Sequence, residues 1–293
     1  MLQNFADNDD VIEAHNKKDS TFKLGHNQYS HLTLEEWRAH VQLGLLKKPE
    51  VSGAANVLAA PADVSSLPAS WDWTTQGAVT PVKDQGSCGS CWSFSTTGAL
   101  EGAYKIKYGS LESFSEQFFV DCDNRSNGGT DLACHGGLMD SAFKWAESFG
   151  GLATEADYPY VSGTTKARGD CNTKVAKNAK VAPKSHTDVA VNSDAALMSA
   201  IAQQPVSIAI EADTKEFQLY KSGVFTAACG TKLDHGVLAV GYGTLDGTDY
   251  YKVKNSWGAS WGMDGYILLQ RGVPGQPEGQ CGMLSGPPSF PNY

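Results

Sequence analysis

Two cysteines three residues apart, in the run Gln85-Gly86-Ser87-Cys88-Gly89-Ser90-Cys91-Trp92, are the residues whose types and spacing best suit chemistry. Such a pair can be a redox dithiol, half of a zinc site, or one structural cysteine beside one reactive one. A redox pair needs a preceding strand in a βαβ setting, which Pro81-Val82-Lys83-Asp84 does not supply. Zinc needs a second Cys/His pair at ligand spacing, and the cysteines at 122, 134, 171, 229 and 281 offer none. No metal and no cofactor is expected. The third reading requires a distant base and a group that orients it. His235, in Leu233-Asp234-His235-Gly236, and Asn255, in Lys254-Asn255-Ser256-Trp257-Gly258, have the right types. A lone histidine ahead of an apolar strand is more often structural; the joint occurrence of these motifs, in this order, carries the weight.

A reactive thiol needs a helix start beneath it and a second lobe opposite. The pattern predicts helices over 91–108, 115–120 and 138–149, the first with Phe94, Leu100, Ala103 and Tyr104 facing a core. Strands are expected at 206–210, 236–240, 250–254 and 265–269. Helices first and antiparallel strands later mean an α+β chain in two lobes, with a cleft between them. Ahead of both, Thr33-Leu34-Glu35-Glu36 reads as a capping box opening a helix over 34–46, its apolar face built on Leu34, Trp37, Val41 and Leu45. Residues 51–68, with Gly53, Pro61, Ser65, Ser66 and Pro68, read as an extended, protease-accessible linker.

The run Cys88-Gly89-Ser90-Cys91-Trp92 resembles the signature of papain and the cathepsins, whose His and Asn follow roughly 130–150 residues downstream. His235 and Asn255 follow at close to that separation, a longer loop at 123–133 making up some of the difference. The resemblance extends over essentially the whole chain and is to a cathepsin L-like proenzyme. It implies a papain-like two-lobed fold: a helical left lobe (about 67–178) and an antiparallel β-barrel-like right lobe (about 179–293), behind a helical inhibitory propeptide (1–66, truncated at its N-terminus). It implies a cysteine endopeptidase zymogen. Cys91 is then the nucleophile, its thiolate favoured by the start of the 91–108 helix and by an imidazolium at His235. Asn255 resembles the residue that orients the imidazole, Trp257 the indole that covers that bond, and Gln85 the oxyanion donor. Residue by residue, Gly136 and Gly137 match the backbone that pairs with substrate. Leu138, Met139, Ala209, Leu233 and Gly286, with Asp234 beside them, match the pocket for the residue two before the cut. That pocket should favour Leu, Phe, Val or Met, having no acidic floor for Arg.

The leader carries its own likeness. Phe5, Asn8, Ile12 and Asn16 follow the family's helix pattern, and Gly25, Asn27, Tyr29 and His31 its Gly-x-Asn-x-Phe-x-Asp motif, except that His31 replaces the acid. Histidine protonation is expected to help loosen the leader, and cleavage is expected between Asp63 and Leu67. The family's bridges would be Cys88–Cys134, Cys122–Cys171 and Cys229–Cys281, leaving Cys91 single among seven cysteines. An odd count with three possible pairs, and the acceptor triplet Asn124-Arg125-Ser126, favour an oxidising secretory route toward lysosome, vacuole or exterior. The chain opens on Asp7, Asp9 and Asp10 and not on a basic then apolar signal, which leaves room for a segment trimmed ahead of it. A formal charge of −9 argues against nucleic acid, and no stretch is apolar enough for a membrane span. Expected partners are protein or peptide substrates, the chain's own propeptide and cystatin-type inhibitors, on a monomer. Two competitors remain: a catalytically silent papain-fold storage or binding protein, and a redox protein using Cys88 and Cys91.

Overall fold

The computed structural model describes residues 2–45, 56–175 and 177–293. The leader opens with α1 (Leu2–Asn16), strand β1 (Phe22–Leu24) and α2 (Leu34–Val41). Its asparagines act as clamps. Asn8 Nδ2 donates to the carbonyls of Ser30 and Leu32, and Asn16 both donates to and accepts from the Leu24 backbone. These bonds fold the segment back on its own helix. Ile12 is buried beneath them, while Phe5 stays half outside, stacked on His26.

The capping box at Thr33 is present in full: Thr33 Oγ1 accepts from the Glu36 amide and Glu36 Oε2 accepts from the Thr33 amide. The helix ends five residues short of the expected 46. Gln42 turns into the left-handed region at φ 42°, and its N–H caps Arg38. Leu45 therefore extends the chain and not the helix. The expected linker falls partly outside the described residues. Its described part pairs as β2 (Val57–Leu58) with a later strand, and Asp63 caps an exposed turn at Val64–Ser66.

β3 (Trp71–Asp72) precedes a helical lobe of α3 (Cys91–Tyr108), α4 (Glu116–Cys122), α5 (Met139–Phe149) and the short α6 (Ser162–Thr165). Trp92, Leu100, Phe114, Phe118, Phe119, Phe143 and Trp145 fill its core. β4 (Ser185–Val189), α7 (Asp194–Ile201), β5 (Val206–Ile210), α8 (Lys215–Gln218), β6 (Tyr220–Phe225), β7 (His235–Leu245), β8 (Thr248–Lys254), β9 (Tyr266–Gln270) and β10 (Ser289–Asn292) complete the chain. The strands form one sheet in the order β1-β6-β9-β8-β7-β5-β10-β4-β2, with β3 on β7. This corrects the expected barrel-like, antiparallel lobe. The sheet does not close, and β6–β9 and β2–β4 run parallel. One edge is taken by the leader's β1, which pairs with β6 and covers backbone that would otherwise stand open.

The leader shares the strand lobe's core: Ile12, Phe22, Leu24, Tyr29, Trp37 and Val41 pack with Phe217, Tyr220, Trp257 and Trp261. Three disulfides, Cys88–Cys134, Cys122–Cys171 and Cys229–Cys281, each close a loop of about fifty residues, a constraint worth roughly 4 kcal/mol apiece in loop entropy. Cys91 is the free cysteine. Among the described residues no helix is long and apolar enough to cross a membrane.

Thr33→Ala should weaken the start of α2 by about 1 kcal/mol. In a Cys91→Ala background, added trypsin should then release the leader faster while the 67–293 portion stays intact.

Candidate active site

Cys91 is the first residue of α3, so its sulfur sits where the helix leaves amides unbonded. The Gly236 N–H, from the start of β7 on the opposite lobe, points at Cys91 Sγ at 3.4 Å. Hydroxyls fasten the two lobes behind this point. Ser95 Oγ of α3 donates to the Val237 carbonyl (2.7 Å), and Ser207 Oγ of β5 donates to Ser95 (3.0 Å).

His235, next to Gly236, is fully buried. Its Nε2 meets Asn255 Oδ1 at 2.8 Å, and its Nδ1 has no hydrogen-bond partner among the described residues. The Asn255 bond makes Nε2 the protonated nitrogen and leaves Nδ1 to receive or release a proton. Trp257 lies on the imidazole, ring centres 4.7 Å apart and planes 21° from parallel, and keeps water from the Asn255 bond. Gln85 is locked by its own backbone N–H on Ser256 O and by Oε1 accepting from Ser256 Oγ, both at 2.8 Å. Its Nε2 is thereby aimed across the cleft.

The cleft is covered. Gln85 Nε2 donates to the carbonyls of Cys88 (3.0 Å) and of the leader's Val41 (3.1 Å). Beyond Gln42 the leader runs along the glycine edge: Gly137 N–H donates to Gly44 O, and Leu45 N–H to Asp234 O, both at 3.1 Å. Gly44 has to be glycine, because a Cβ there would lie 2.1 Å from the Gly89 carbonyl oxygen. The Gly44 N–H faces the sulfur. Farther back, Trp37 and Tyr29 set their rings edge-on to Trp257, Asn27 donates to Gln218 O, Gly25 to Leu219 O, and Gln28 to Trp257 O.

Covering reverses the expected electrostatics. Burial pushes the Cys91 thiol up to about 11, against the pull of the Gly236, Gly44 and Trp92 amides, and holds His235 down to about 4, against the Asn255 bond. Thiol and imidazole are both neutral here. The expected lowered thiol pKa needs water and an imidazolium, and the leader excludes both. Burial also lifts the Asp234 carboxyl to about 7, its Oδ1 accepting from the Ala212 amide.

A pocket of about 450 Å³ opens beside the glycine edge, lined by Leu138, Met139, Ala209, Leu233 and Gly286. Those are the five positions read from the sequence. Leu45 of the leader borders it, as do Asp140, Thr231, Lys232 and Pro287, which sequence reasoning did not reach. The expectation concerned an acidic floor; Asp140 and Lys232 both stand among the lining residues. Asn124 is half-buried: its Nδ2 donates to Asp121 O and its Oδ1 accepts from the Ser126 amide. His31 and His40 are both exposed; His40 is the leader histidine that touches the peptidase portion, its ring meeting Ser87 Oγ at 3.3 Å and leaning on Tyr29.

Comparison with known proteins meets this geometry. Residues 67–289 match the model for the papain family cysteine protease, and residues 2–37 that for the cathepsin propeptide inhibitor domain. The chain is 50% identical over 280 residues to a probable cysteine protease, RD21B, of Arabidopsis thaliana, covering 95% of this chain and 58% of that one. It is 46% identical to the germination-specific cysteine protease 1 of the same plant, covering 95% of this chain and 74% of that one. This chain thus spans little more than half the length of the first relative. Among solved structures, the proform of the ragweed pollen cysteine protease Amb a 11 superposes with a TM-score of 0.84 at 38% identity, covering 99% and 88% of the two chains. A recombinant stem bromelain precursor superposes at 0.86 and 38%, covering 99% and 90%. With its catalytic-type cysteine, histidine and asparagine gathered under a leader of the inhibitor type, the chain belongs to the papain family of cysteine proteases.

Proposed function

We propose that the chain is the zymogen of a cysteine endopeptidase, with Cys91 the nucleophile, His235 the base and acid, Asn255 its orienting partner and Gln85 the oxyanion donor. The observation that carries this is the single free thiol at the start of α3, facing the β7 segment that bears an Asn255-bonded His235. With the leader gone, water reaches both groups and the burial that keeps them neutral is lifted. The proton then passes from sulfur to Nδ1, giving a thiolate–imidazolium pair that titrates as a unit. The thiolate attacks a peptide carbonyl, and Gln85 Nε2, freed from Val41, donates to the developing oxyanion. Imidazolium protonates the leaving amine; water, deprotonated by His235, then hydrolyses the thioester. The Gly136–Gly137 edge holds the substrate backbone, and the 450 Å³ pocket takes an apolar side chain two residues before the cut. Relatives named as cysteine proteases, and a Carica candamarcensis cysteine protease in complex with E-64 at 42% identity, support the same class. The three disulfides support an oxidising, secretory folding route.

The leader inhibits without being cut because it gives the sulfur an N–H and fills the Gln85 donor with the Val41 carbonyl. The boundary of the mature chain is set in the exposed stretch between Asp63 and Leu67. Sensing of acid is better assigned to His40 than to His31, since His40 is the one packed on the peptidase portion. Partial burial lowers its pKa first, offset by Asp84 and reinforced by Lys166 and, least, by His31. A docked pKa below the free one means that docking is at full strength above about pH 6.5 and weakens as pH falls below it.

Acid incubation followed by assay on a Leu- or Phe-containing dipeptidyl reporter tests the reading: activity should appear with the leader's loss and be absent from Cys91→Ala. Gln85→Ala should lower kcat by roughly 10²–10³; an unchanged kcat would remove Gln85 from the mechanism. Iodoacetamide labelling of Cys91 at pH 6, followed by mass, should accelerate by about two orders of magnitude or more once the leader is removed. Equal rates before and after would contradict a covered thiol. His40→Gln should move the onset of self-activation to lower pH, whereas His31→Gln should leave it in place.

A further inference from the structure

The loop between Cys122 and Cys134 ends in two carboxyl groups that the reaction does not use. Asp123 is wholly buried and Asp131 is 3% exposed. Asp131 Oδ1 accepts the Leu138 N–H at 2.9 Å, the residue that caps α5 and lines the substrate pocket. Its Oδ2 and both oxygens of Asp123 find no N–H or O–H from a neighbouring side chain, and the two carboxyls are directed at one another. The Thr130 and Asp131 amides turn toward Asp123, and Gly129 packs so tightly that a Cβ there would fall 1.8 Å from Asp123 Oδ1. Two anions cannot sit together in so dry a place; a carboxylic acid facing a carboxylate can, through one O–H···O bond.

We propose that Asp123 and Asp131 share one proton, and that this proton holds the substrate edge Gly136–Leu138 in position, making both aspartates positioning residues for the apolar side chain two before the cut. The proposal rests on the peptidase reading above. The route from the pair to the edge is short. Asp131 grips Leu138, Leu132 N–H grips Gly136 O at 2.8 Å, and the Cys88–Cys134 disulfide ties the same turn to the segment before Cys91. No basic side chain among the described residues forms an ion pair with either carboxyl, and Asp140 of α5 adds a further like charge on Asp131. Burial raises both groups, Asp123 to about 6. The sign follows. With Asp123 raised to about 6 and Asp131 raised well above the usual carboxylate range, both carboxyls are protonated in acid; the first proton leaves as pH rises through about 6, leaving the shared one, and the stabilisation is lost only as that last proton leaves at higher pH. The second proton loss would push the carboxylates apart and pull Asp131 from Leu138.

Two measurements test this. In the full chain carrying Cys91→Ala, hydrogen exchange at the Leu138 amide, corrected for its intrinsic pH dependence, should keep its protection as pH rises through about 6 and lose about tenfold or more of it at the higher pH where the last proton leaves. Asp123→Asn should keep that protection, since its Nδ2–H donates to the Asp131 carboxylate without titrating. Asp131→Asn should behave alike, so one variant failing to fold leaves the other to decide. In the activated enzyme, KM for a Leu-containing reporter should rise several-fold at that higher pH relative to Asp123→Asn, with kcat moving equally in both. The same loss of protection in both variants as in the unchanged pair overturns the proposal. So does protection restored at that higher pH by calcium, which would make the pair a cation site. The exchange arm reads the pair even if the chain cuts nothing, so a failed peptidase reading is told apart from a failed proton pair.

Discussion

The reactive sulfur and the imidazole belong to different lobes, and the state of both is set by how much water reaches the seam between them. Cys91 rides on the first turn of α3; His235 stands at the head of β7. Their relative position is held by hydroxyls that cross the seam, Ser95 on Val237 and Ser207 on Ser95, and by Asn255 and Trp257 gripping the ring from edge and face. Everything else about this molecule either defends that seam or closes it.

Closure is a matter of dielectric as much as of obstruction. A thiol and an imidazole that would exchange a proton in a wet cleft are both kept neutral beneath the leader, because burial penalises each charged form separately. The leader achieves this cheaply in contacts at the cleft: one carbonyl on Gln85, one N–H at the sulfur, and two backbone bonds along the edge. Its anchoring is elsewhere, in β1 on the sheet edge and in Trp37 and Tyr29 against Trp257. Anchor and plug are thus separate parts of the leader.

The helical lobe contributes a second kind of control. Its loop from Cys122 to Cys134 ends beside the glycine edge, and Asp131 within it holds the amide of Leu138, a residue that lines the pocket. Under the proposed function, acid would act on the leader and on the pocket wall through different groups.

Local signals in the sequence were strong where one element or one residue type decides the outcome. The helix that begins at Cys91 and ends before Gly109, the capping box at Thr33 and the strand at 206–210 are written in side-chain periodicity and cap chemistry, which act within a few residues. The gathering of cysteine, histidine and asparagine was legible too, because that combination has few other uses. What the sequence could not determine depends on partners distant along the chain. Gln42 turns left-handed because the leader must bend into the cleft, an end to α2 that no local stop signal announces. The sheet stays open because β1 and β2 take its edges, pairings that periodicity cannot assign. Asp140 reaches the pocket border, and Asp123 meets Asp131, only once the loop is folded. The neutrality of the catalytic pair is likewise a property of the closed cleft, since a pKa belongs to an environment and not to a residue type.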